Sequence, residues 1–76
     1  MRYTVLLERD DETGVYVVSV PALPGCLTQG ATVEEALERA REAISGHVAA
    51  LIESGETVPV ESNPPILTAI EVSVAA

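Results

Sequence analysis

Apolar and polar residues alternate at both ends of this chain, and between those ends the apolar residues recur every three or four positions. The alternation comes first. From Arg2 to Glu8, Tyr3, Val5 and Leu7 fall on one side and Thr4, Leu6 and Glu8 on the other, which predicts a strand. The polar run Asp10-Asp11-Glu12-Thr13-Gly14 closes on glycine, as a hairpin loop does. Val15 to Val20 is apolar on both faces and predicts a central second strand. Cys26 to Gln29 predicts a short third strand that stops at Gly30. The helical period then takes over. Val33, Leu37, Ala40, Ile44, Val48 and Leu51 form one stripe of a helix from Val33 to Glu53. Alternation returns at Ile66 to Val74, where Ile66, Thr68, Ile70, Val72 and Val74 share a face opposite Leu67, Ala69, Glu71 and Ser73, predicting a last strand. The order strand-strand-strand-helix-strand predicts an α+β fold: a small antiparallel sheet with one long helix packed on one face.

The joints between these elements are readable as well. Pro21 and Pro24 remove two backbone donors and fix φ, and Pro24-Gly25 is a turn dipeptide, so Pro21 to Gly25 is a rigid corner. Thr32 and Glu35 have the spacing of a capping box, with Glu34 and Glu35 at the positive end of the helix dipole. Glu35 and Arg39 form an i,i+4 pair in the favourable order. Gly46 interrupts the helix and is read as a close backbone approach or a mild bend. Ser54-Gly55 predicts the helix stop. Pro59, Pro64 and Pro65 make residues 56–65 a connector.

A chain of 76 residues reads as one domain, residues 1–76, with a modest core that association would support. Trp and Phe are absent, so that core is aliphatic. Apolar residues on the sheet face away from the helix (Leu6, Val15, Val17 and Leu67) predict a homodimer, a higher homo-oligomer or a heteromeric complex. The net charge of −8, with four Arg and no Lys, argues against direct nucleic-acid binding, which needs clustered cations. It suits a basic partner, or solubility alone. No apolar run is long enough to span a bilayer and no leader precedes one, so the cytoplasm is the expected location.

Chemistry is sparse. His47 is the single histidine, at the edge of the helix stripe, with no second His, no neighbouring Cys and no carboxylate at stacking distance, and is read as structural. Cys26 has no adjacent cation and reads as a small buried hydrophobe. Asp10-Asp11-Glu12 lacks the ligand spacing of a calcium loop and reads as a solvated hairpin tip. With no phosphate loop, nucleophile elbow or Cys-x-x-Cys pair, the sequence makes no case for an enzyme, a cofactor or a metal.

One constellation carries a resemblance. Pro21 to Gly25, followed by Gly30, Thr32 and Glu34-Glu35-Ala36-Leu37, then Ala43-Ile44, Gly55 and Pro59, resembles the N-terminal domain of HicB-type antitoxins. Ala22 and Ala31 stand where that family often has acidic residues. The resemblance implies a partner: a small, basic, mRNA-cleaving toxin of the HicA type, whose histidine-bearing active site the antitoxin covers. Pro21, Leu23, Pro24 and Gly25 are the expected partner-binding residues, either by direct contact or by shaping the corner. Longer members continue into a DNA-binding module; here only Ala75 and Ala76 follow Val74, so no operator binding is expected. The alternative is an orphan homo-oligomeric structural or small-ligand-binding domain without a toxin.

Overall fold

A hairpin starts the fold because its loop satisfies its own backbone. β1 (Leu6–Arg9) pairs antiparallel with β2 (Tyr16–Ser19), with Leu7 opposite Val18. Between them the Asp10 amide donates to the Val15 carbonyl (2.8 Å) and the Gly14 amide to the Asp10 carbonyl (2.7 Å). The Asp10 carboxylate accepts from the Glu12 amide (2.9 Å), so the acidic tip is held by an Asx turn. Gly14 has φ +76°, a conformation that favours glycine. The structure is a computed structural model and describes residues 1–75.

β3 (Leu27–Gly30) adds to the other side of β2, giving the sheet order β1-β2-β3. The helix α1 (Val33–Glu53) follows with the expected bounds. The Thr32 hydroxyl accepts from the Glu35 amide (3.1 Å). Only this half of the capping box forms, because the Glu35 carboxylate turns the other way and pairs with Arg39 (3.0 Å). At the far end, the Gly55 amide donates to the Ile52 carbonyl and the Glu56 amide to that of Leu51, the two bonds of a Schellman motif, with Gly55 at φ +73°.

The core lies between one sheet face and α1. One cluster joins Val18, Ala36 and Ala40, flanked by Leu7 and Tyr16. The other joins Val20, Leu23, Cys26 and Val48, flanked by Tyr3, Ile44 and Val58. The buried helix stripe keeps Ala40 and Val48 of the expected set, with Ile44 packed beside them, but Ala36 is fully buried whereas Val33 is exposed. The cause is Gly30, which lets the first turn of α1 settle onto β3 at Ala36. A Cβ on Gly30 would lie 2.4 Å from the Ala36 nitrogen. Gly46 has no such role. Nothing lies within 4 Å of the position its Cβ would take, so the close approach expected there is absent.

The α+β class holds, but Ile66–Val74 does not form the expected closing strand within this chain. A strand exists only where another strand takes its backbone bonds. Here Pro64 and Pro65, without donors, carry the chain off the end of the sheet. Residues 66–75 are exposed and join no strand among the described residues. The molecule is correspondingly long, 55 × 29 × 18 Å.

Candidate functional site

The corner after β2 is two turns in series. The Leu23 amide donates to the Val20 carbonyl (2.9 Å), closing a turn around Pro21-Ala22. The Cys26 amide donates to the Leu23 carbonyl (3.0 Å), closing a second around Pro24-Gly25. Proline at the second position of each turn and Gly25 at φ +84° are what these turns demand. Leu23 sits between them with no exposed surface, packed in the cluster of Val20, Cys26 and Val48. The four expected partner-binding residues therefore divide. Leu23 anchors the corner from inside, and Pro21, Pro24 and Gly25 stand in solvent.

The connector returns to this corner. A shallow cleft of about 360 Å³ is lined by Pro21, Ala22, Val60, Glu61, Asn63 and Pro65. Its far wall is tied to the residues just before β1. The Tyr3 hydroxyl donates to the Pro59 carbonyl (2.6 Å), and both the amide and the hydroxyl of Thr4 donate to the Glu61 carboxylate. Sequence reasoning missed this contact, since no local pattern links residues 57 positions apart. The Thr4 bonds, side chain first, pull the Glu61 carboxyl below the ordinary glutamate range, with a smaller pull from Arg2 and some opposition from desolvation.

That depressed pKa sets a pH dependence. The stabilisation is fully present above the unfolded-state value, about 4.3 for glutamate, and fades as pH falls through the lower folded value. In thermal melts, a gap between the wild type and Glu61→Gln at neutral pH is expected to close on acidification below pH of about 4. A gap that stays constant with pH would show that the Glu61 charge does not hold the connector.

Burial pushes the Cys26 thiol up, away from the reactive thiolate. His47 is half-buried on α1, where the sequence placed it. Among the described residues no group of three or more His, Cys, Asp or Glu side chains could hold a metal ion, and no helix is long and apolar enough to cross a membrane. Acidic side chains of α1, Glu34, Glu38, Glu42 and Glu53, are exposed, and they account for part of the negative charge around this frame.

Comparison with known proteins agrees with this architecture. Residues 3–71 match the family described as the HicB_like antitoxin of bacterial toxin-antitoxin system. A UPF0150 protein of Thermoplasma acidophilum is 49% identical over 59 residues, 78% of this chain and 84% of that protein. Antitoxin HicB 1 of Photorhabdus laumondii is 48% identical over 59 residues, 78% of this chain but 37% of that protein. The crystal structure of the N-terminal domain of Burkholderia pseudomallei antitoxin HicB superposes with a TM-score of 0.65 at 42% identity, covering 82% of this chain and 69% of that one. The chain thus spans most of that short relative and under half of the longer antitoxin.

Proposed function

The chain belongs to the HicB-like antitoxins of bacterial toxin–antitoxin systems, and from that membership we propose that it neutralises a small, basic, mRNA-cleaving toxin of the HicA type by covering the toxin's active site. The carrying observation is the corner. Two closed turns locked by the fully buried Leu23 present Pro21, Pro24 and Gly25 in one fixed shape. A surface already ordered before binding loses little conformational entropy on contact, which favours a tight blocking complex. The net charge of −8 complements a basic ribonuclease, speeding encounter and making it salt-dependent. The role is binding rather than catalysis.

The test is titration of the purified chain into a HicA-type ribonuclease cutting a defined mRNA. Cleavage falls to background at stoichiometric antitoxin, and added salt slows the onset of inhibition. Pro24→Ala, at an exposed position, weakens inhibition while the fold persists. Undiminished cleavage in excess antitoxin overturns the proposal.

A further inference from the structure

Resting on the toxin reading, we propose that the open face of the sheet, on the side away from α1, seats the toxin by taking one helix of that basic protein across β1, β2 and β3.

Alternation defines the face. Leu7 and Val18 pack toward α1, so Leu6, Glu8, Val17 and Ser19 point to the other side. The register sets Leu6 and Leu27 on either side of Ser19, and Glu8 and Gln29 on either side of Val17. Leu27 is 65% exposed and Val17 37%, whereas Val18 has no exposed surface. Among the described residues no helix or strand covers this side. β2 is therefore apolar on both faces and covered on one. Strands patterned in this way belong to sheets with helices on both sides.

The width of the face selects a helix. Three strands spaced at about 4.8 Å span about 10 Å between their outer axes, and one helix with its side chains is about 10–12 Å across. α1 covers the opposite face alone on the same terms. A second helix, supplied by the partner, completes a helix-sheet-helix stack across the interface. The face also runs into the Pro21 corner. Val5 packs into the core, so Thr4 shares the outer side with Leu6. Its hydroxyl donates to Glu61, which lines the corner cleft with Pro21, Ala22 and the 77% exposed Val60. Corner and sheet face are adjoining parts of one surface.

Charge decides between a basic partner and a second copy. Glu8 is exposed on this face, and Asp11 and Glu12 are exposed at the hairpin tip beyond it. Glu61 stands at the corner end, with Arg2 near it. The other arginines lie elsewhere: Arg9 pairs with Tyr16 on the helix side of the sheet, and Arg39 and Arg41 belong to α1. Two copies placed face to face, each with net charge −8, set these carboxylates against one another. Lys and Arg flanking the apolar stripe of a toxin helix meet them instead, while the stripe covers Leu6, Val17 and Leu27.

Calorimetric titration of the full chain with a HicA-type ribonuclease, its active-site histidine replaced by alanine, reads the contact. Leu27→Lys and Val17→Lys each weaken binding by about 30-fold, with circular dichroism unchanged because both side chains are exposed. Glu8→Lys weakens it by about tenfold, and that loss shrinks at high salt. Ala50→Lys adds the same charge at an exposed position of α1 and leaves the affinity as it was. With p-benzoylphenylalanine in place of Val17, photocrosslinks fall on toxin residues three or four positions apart. Wild-type affinity in both Leu27→Lys and Val17→Lys overturns the sheet-face proposal while the toxin reading stands, and a wild type that does not bind overturns both. Crosslinks confined to an extended toxin segment overturn the helix as occupant. Loss of self-association in these variants at unchanged toxin affinity assigns the face to a second copy and overturns the proposal.

Discussion

Gly30→Ala is expected to remove most of the protein's stability at room temperature. Gly30 has no positive φ, so the argument is one of space alone. The added methyl would stand 2.4 Å from the Ala36 nitrogen, 2.7 Å from the Ala36 Cα and 2.9 Å from the Glu35 carbonyl carbon. All three atoms are helix backbone, so no side chain can swing aside. The helix cannot lift locally either. Its first turn is fixed by the Thr32 cap, and Ala36 is buried against the cluster of Val18 and Ala40. Overpacking typically costs 1–3 kcal/mol, and a clash with rigid backbone falls at about the upper end, ~3 kcal/mol. A domain this small has a total stability on the order of 3–5 kcal/mol. The melting temperature should fall by about 12–24 °C at 4–8 °C per kcal/mol. Thermal melts followed by circular dichroism check this, and a shift under about 3 °C would mean that β3 and α1 are not pressed together at this point.

Leu23→Ala should have a comparable effect by the opposite route. Leu23 has no exposed surface and touches both the sheet side and the helix side of the core, through Val20, Cys26 and Val48. Removing its isopropyl group leaves a cavity bounded by two proline-fixed turns, which cannot collapse to fill it. Loss of buried leucine methyls costs about 2–5 kcal/mol, and the cost rises where the walls are rigid. Urea titration with an unchanged slope and a midpoint lowered by more than half is the expected result. Comparison with Pro24→Ala separates this anchoring from the proposed contact with a toxin. The exposed proline should alter toxin inhibition with little change in stability, and the buried leucine should do the reverse per folded molecule. If Leu23→Ala leaves the midpoint in place, the corner is not anchored as described.

Much of this architecture was legible because its signals are local. The bounds of α1 follow from Thr32 and Gly55, each of which acts within one helical turn. The hairpin follows from Asp10 and Gly14. What depended on three-dimensional packing was read less well. Ala36 is too small to register in a hydrophobic stripe, yet it is fully buried because Gly30 makes room for it. Val33 has the right side chain for the core and the wrong place, at the first residue of α1, where it is exposed. Ile66–Val74 has the alternation of a strand, but pattern states a capacity to pair and not with whom. At the candidate site, Pro21, Pro24 and Gly25 were legible as a corner from backbone rules. The inward direction of Leu23 was not, since a leucine flanked by prolines can face either way.

The bonds from Tyr3 to Pro59 and from Thr4 to Glu61 bring the two ends of the folded body to one pole, beside the Pro21 corner. Everything between these positions forms a closed circuit, and chain attached on either side departs from that single pole. Such a body behaves as a pendant module. It can be joined to other sequences at its beginning or its end without rerouting its core, and its ends can be linked and reopened elsewhere, as circular permutation requires. The surface opposite this pole, including the Asp10–Gly14 hairpin tip, is then kept clear of whatever is attached.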